Sequence, residues 1–246
     1  MRPIAALLII GGLALPAAAD TVGLYAGMGQ WQQSFDGDVT SGTTSIDVNT
    51  DLGLGDTDNN LFYVALEHPI PMLPNLAVEI VDIENSGAST LTRSIDFSGQ
   101  TFSISDDIAT QIDISNVDAV AYYEILDNVV SLDLGFAIKF VEGEVAIATT
   151  LESSRAQFEG ALPMLYGKVR ADLPLTGLWV AGRLQGIGYD GNQLVETQFV
   201  VGWESPLRVG VEAGYRSFSL ELDEVDEIND ATIEVDGFFA ALNVHF

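Results

Sequence analysis

Few residues of this chain are equipped for chemistry. Cysteine is absent and histidine occurs twice, at His68 and His245. Acid–base or nucleophilic catalysis needs a positioned base beside a nucleophile. His68 has Glu67 and Pro69 for neighbours, and near His245 there is only Asn243. These residues predict no catalytic site. Asp47-Val48-Asn49-Thr50-Asp51 begins like a calcium loop, but Leu52 replaces the glycine of the sharp turn and no Glu follows at the twelfth position. The expectation is therefore no metal and no cofactor. What remains is the charge pattern. Lys139, Lys168, Arg170, Arg183, Arg208 and Arg216 each lie in a run where polar and apolar residues alternate, on the polar side; so do Glu79, Glu124, Asp133, Asp172, Glu196 and Glu212. Such alternation places them together on one face of β structure.

The runs that carry these charges are strands. The fifth is the cleanest: Val130, Leu132, Leu134, Phe136, Ile138 and Phe140 face one way, and Ser131, Asp133, Gly135, Ala137 and Lys139 the other. Nine further segments follow the same rule, at about 21–34, 61–68, from 76, down to 125, down to 173, from 178, 195–204, from 207 and 237–246. Four connections between them are short: Pro69 to Asn75, Leu126 to Asn128, Pro174 to Gly177 and Ser205 to Leu207. The others are long and rich in Asp, Ser, Thr and Gly. This asymmetry predicts an all-β fold, a single closed antiparallel transmembrane β-barrel of ten strands, with eight and twelve as the neighbouring counts. Short turns would be periplasmic and long acidic loops extracellular. Ser89 to Ser105 has a hairpin pattern around Ser98-Gly99, and Thr43 to Asn49 resembles a short strand; both are taken as extensions above the membrane.

The ends of the chain fit this reading. Arg2, the apolar run Ile4 to Leu15 and Ala17-Ala18-Ala19 predict a signal peptide of residues 1–19, too short to span a membrane as a helix. At the other end Phe238, Ala240, Leu242 and Val244 alternate with smaller or polar residues before the terminal Phe246. The formal charge is −27, and loss of Arg2 with the leader leaves 36 acidic against eight basic residues. That balance repels phosphate backbones, which excludes nucleic acid as a partner. Forty-eight per cent hydrophobic residues argue against disorder. Asp36, Asp38, Asp47, Asp51, Asp56 and Asp58 concentrate in the first long loop, and Glu221, Asp223, Glu224, Asp226, Glu227 and Asp230 in the last.

The blocks EHPIPMLPN (Glu67 to Asn75), YYEILDN with SLDLG (Tyr122 to Gly135), LPMLYGKVRADLPLTG (Leu162 to Gly177) and GVEAGYRSFSLELD (Gly210 to Asp223) resemble a family of Gram-negative outer-membrane β-barrel proteins without an assigned activity. The resemblance implies outer-membrane location, contact with membrane lipid and lipopolysaccharide, and insertion by the barrel-assembly machinery, which would read Phe238, Leu242, Val244 and Phe246 as its signal. It carries over no catalytic residues and no oligomeric state. Counted from the short turns, Asp133, Lys168, Arg170, Arg183 and Glu212 stand at a common height, as a ladder of ion pairs. In one reading the ladder packs a narrow interior; in the other it lines a narrow porin-like passage for small polar solutes. A non-conducting barrel that stabilises the envelope through lipopolysaccharide and divalent cations is the alternative function, and a lipid-modifying enzyme is a third.

Overall fold

The computed structural model describes residues 22–41, 44–70, 72–225 and 228–246; the expected signal segment lies outside them. Ten long strands close a barrel: β1 (Gly23–Ser41), β3 (Thr57–Glu67), β4 (Asn75–Thr90), β7 (Asp107–Leu126), β8 (Val130–Ala148), β9 (Ser153–Asp172), β10 (Leu178–Tyr189), β11 (Asn192–Glu204), β12 (Val209–Val225) and β13 (Ile228–His245). Three short strands, β2 (Thr44–Asp47), β5 (Ile95–Phe97) and β6 (Gln100–Phe102), belong to the loops. All neighbours are antiparallel, and β13 pairs with β1 to close the cylinder. Closure is completed at the terminus, where Phe246 and Leu24 exchange backbone hydrogen bonds of 2.9 and 3.1 Å. Every backbone group that meets lipid then has a partner, which a spanning sheet requires.

The alternation in sequence becomes a belt and a lumen. Met28, Phe62, Val78, Phe136, Leu165, Leu184, Phe199, Phe238 and Leu242 all stand exposed on the outer surface. A soluble protein rarely presents so continuous an apolar surface, and a bilayer is the solvent that suits it. Above the belt the outward positions turn acidic, at Asp58, Glu84, Glu142 and Glu159 among others.

The periplasmic turns fall where the spacing predicts, but the strands run on beyond their expected extracellular ends, β8 by eight residues past Phe140 to Ala148. Outside the lipid the outward residues no longer need to be apolar, so the pattern fades while the ladder continues. Ser89 and Thr90 end β4 as an extension of the wall, but the rest of 89–105 does not extend a barrel strand. Ser98 and Gly99, both with positive φ, form the turn of a separate hairpin in which Ile95 faces Phe102. β2, by contrast, is hydrogen-bonded to the top of β1 within the barrel's own sheet, so this stretch does extend the wall above the membrane. These loop pieces bring Ile46, Val48, Leu52, Leu54, Leu91, Ile95 and Phe102 together with Ile108 and Ile147 from the barrel wall, all buried. The extracellular half of the barrel is thus closed by an apolar core.

Candidate functional site

The lumen is occupied at mid-height by six ionisable side chains. Glu79 of β4, Asp118 of β7 and Lys139 of β8 are neighbours in register across three strands. On the opposite wall Gln185 and Glu196 are register partners on the adjacent strands β10 and β11, flanked by Arg183 and Arg216. Lys139 Nζ lies 2.7 Å from both Asp118 Oδ1 and Glu196 Oε1. Arg216 donates to Glu196 Oε2 at 2.9 Å and also to Glu79. Arg183 clasps Glu79 with both terminal nitrogens, one of them at 3.2 Å. Gln185 Nε2 donates to Asp118 at 2.8 Å and to Glu196 at 3.0 Å. Three carboxylates against three cations leave the cluster neutral. That matters because unpaired buried charge is far costlier than paired. The Arg216 guanidinium also sits 5.2 Å from the ring centre of Trp31, which is buried in the lumen.

Below this cluster a second set of contacts lines the periplasmic mouth. Lys168 Nζ lies 3.6 Å from Asp133, and the Tyr122 hydroxyl donates to Glu67 at 2.9 Å. Arg170 pairs with Asp172 of its own strand and stacks 4.2 Å over Trp179. Asn243 donates to Glu212 at 3.2 Å, and Asn75 reaches Glu124 at 3.5 Å. The tyrosine ring of Tyr63 fills the space left by Gly27: an added Cβ there would come within 2.3 Å of it. Gly27 therefore makes room for Tyr63, and Gly23 lies against the ring of Tyr25, which an added Cβ would approach to 3.1 Å.

The extracellular cap has its own clasp. Arg93 binds the buried Asp51 and donates to the Ser45 carbonyl at 2.6 Å. Asp47 accepts the backbone N–H groups of Asn49 at 3.0 Å and Thr50 at 2.7 Å, and these donors hold its carboxyl below the usual range. Both carboxylates of the calcium-like run are thus engaged in holding the loop.

The expected ladder is redrawn by these distances. Lys168 and Asp133 meet, and Lys139, Arg183, Glu79, Glu196 and Arg216 join one cluster; Arg170, Glu124 and Glu212 do not join it. Arg183 is in register with Lys168 but reaches across the lumen to Glu79 instead. Counting from turns places Asp133, Lys168 and Arg183 in register as expected, but height along a strand does not say which side chains meet across the lumen, and so Glu79 was missed as the partner of Arg183. Arg208 does not face inward at all. β12 starts at Val209, and Arg208 is an exposed residue with φ 60° in the turn, its N–H donating to Ser205 O. Asp118 and Gln185 were the residues missed; both stand on the polar side of their strands, and Asp118 is in register with Lys139. Phe238, Leu242 and Phe246 are exposed on the outer face, with Val244 half-buried beside them. Trp31 and Trp179 face the lumen, whereas Tyr123, Trp203 and Tyr215 face outward. His68 is held in its turn by contacts to Pro74 O at 3.1 Å and the Ile70 N–H at 3.3 Å; His245 stacks on Tyr25 with its Nδ1 3.7 Å from Glu204.

No known family model matches the sequence, and no curated protein matches it. The four sequence blocks therefore do not place the chain in a narrower family. Among solved structures, the translocator domain of the autotransporter NalP from Neisseria meningitidis is 8% identical over 94% of this chain and 91% of its own, with a TM-score of 0.49. The outer membrane protease OmpT from Escherichia coli is 11% identical over 92% and 96%, with a TM-score of 0.46. Ail, the attachment invasion locus protein of Yersinia pestis, is 8% identical over 91% and 99%, with a TM-score of 0.40. The fold is an outer-membrane type of β-barrel, and likenesses this remote say nothing about activity.

Proposed function

We propose that this protein is an integral outer-membrane barrel, closed at rest and without enzymatic activity, that serves as a structural element of the envelope. The observation that carries this reading is the neutral cluster of Glu79, Asp118, Lys139, Arg183, Glu196 and Arg216, which joins opposite walls of the lumen. The apolar cap above it adds a second closure. Its location rests on the apolar belt together with the signal-like start of the sequence. The acidic positions directly above the belt support contact with lipopolysaccharide through divalent cations. Insertion by the barrel-assembly machinery through the C-terminal strand belongs to the same reading.

A second reading is a narrow passage for small polar solutes that conducts once the cap and cluster move. It is favoured by the charged, mixed-sign lining of the lumen, which a purely structural barrel does not require. Purified protein in planar bilayers separates the two. Wild type is expected to show no steady conductance, and conduction to appear when Arg183→Gln and Arg216→Gln are combined with Phe102→Asp, which releases the cap. Steady conductance by wild type overturns the closed reading.

A further inference from the structure

The wall of the barrel is not level. The β9–β10 ladder runs from Asp172 and Trp179 up to Leu165 and Gly186 and stops there, while β9 continues beside β8 to Ser153. The reason is local. Asp172 donates its N–H to Val129 O on the β8 side at 2.8 Å, whereas Leu173 donates to Leu178 O on the β10 side at 2.8 Å. Since hydrogen-bonding direction alternates along a strand, the odd-numbered residues of β9 present their backbone toward β10. Pro163 is one of them and has no N–H to give. β10 itself ends at Tyr189, three residues past Gly186, in the Asp190-Gly191 turn, both turn residues with positive φ. Beyond Pro163, the N–H groups of Ala161, Glu159 and Gln157 face a side where no described strand pairs with them. At about 3.3 Å per residue, 155–161 is an open edge of roughly 20 Å.

This edge lies outside lipid, since its outward side chains are Arg155, Gln157 and Glu159, all exposed. Its carbonyls accept donors: at its upper end the Ser98 hydroxyl of the β5–β6 hairpin donates to Arg155 O at 3.2 Å. A strand added here would place alternate side chains beside two different surfaces. On the outer face it would lie next to Glu159, with Glu142 in register behind it; Glu144, one step along, is already held by Arg155 at 3.4 Å and by the Gln157 amide at 2.6 Å. On the other face it would meet Gly160 and Phe158, the latter 43% exposed.

We propose that the β9 edge from Arg155 to Ala161 is a docking site for an extended polypeptide whose side chains alternate between basic and apolar, bound by strand addition. A second copy of this chain is the poorer occupant, because both copies would bring Glu159 and Glu142 to the seam while Arg155, the cation of the edge, is already paired with Glu144 at 3.4 Å.

The test uses the full chain in detergent micelles and a fluorescent peptide of alternating Lys and Val. Saturable binding is expected, weakened at least about tenfold when alternate peptide nitrogens are methylated, since charge is kept and backbone bonds are lost. A Glu-Val peptide is expected not to bind. Glu159→Pro, which removes one free N–H without touching the β8 ladder, is expected to weaken binding comparably. Equal binding of the methylated peptide, absence of binding, or dimerisation of the chain through this edge in sedimentation overturns the proposal. The methylation comparison uses wild-type protein, so it decides even if the proline variant does not fold.

Discussion

At the scale of single residues, the lumen depends most on Glu79, because two guanidiniums share it. Glu79→Gln removes the partner of Arg183 and one of the two partners of Arg216. A loss of about 3–5 kcal/mol is expected, the range for leaving buried charge uncompensated. Lys168→Gln is expected to cost less than Glu79→Gln, because it leaves one buried carboxylate, Asp133, without its partner at 3.6 Å, whereas Glu79→Gln leaves two guanidiniums short. Urea unfolding of both variants in micelles checks the contrast; similar losses would mean the cluster does not act as a unit. Asp47 gives a pH dependence in the loop. Its carboxyl is held below the ordinary value by the Asn49 and Thr50 N–H groups, so its contribution is complete above about pH 4 and is lost as pH falls through the lower folded value. Proteolysis of the first loop is expected to quicken only in that acidic window, and Asp47→Ala to be equally susceptible on both sides of it.

At the scale of elements, the cap is an apolar wedge. Ile95 and Phe102 are cross-strand partners and both are fully buried. Phe102→Asp puts a charge into that core, which at about 3–5 kcal/mol exceeds what the Arg93–Asp51 clasp returns. The hairpin is expected to detach while the barrel persists, because its strands are paired independently of β5 and β6. Limited proteolysis between Leu91 and Asp106, with the heat-dependent shift of the folded barrel on gels retained, is the readout. Loss of that shift would mean that the cap and the barrel fold as one unit.

For the whole molecule, closure ends on Phe246, whose backbone makes two bonds with Leu24. Each is worth about 1 kcal/mol, so deleting Phe246 is expected to leave a barrel that still refolds in micelles. Membrane insertion in cells is expected to fall much further, since the exposed ring is the feature the assembly machinery would read. Comparison of refolding yield with the amount inserted checks this; equal losses would make the terminal aromatic a matter of stability alone.

The all-β class, the strand count, the periplasmic turns and the outward faces from Met28 to Leu242 were decided by the sequence, because lipid enforces a period of two wherever a strand meets it. Above the lipid that pressure is gone, and the extensions of β8 and β9 left no comparable mark. The partners within the lumen were a tertiary matter. Arg183, in register with Lys168, reaches Glu79 on the opposite wall, and the register pairs Asp118–Lys139 and Gln185–Glu196 join each other across the lumen, because long side chains cross a narrow barrel and answer to three-dimensional distance rather than to position along a strand.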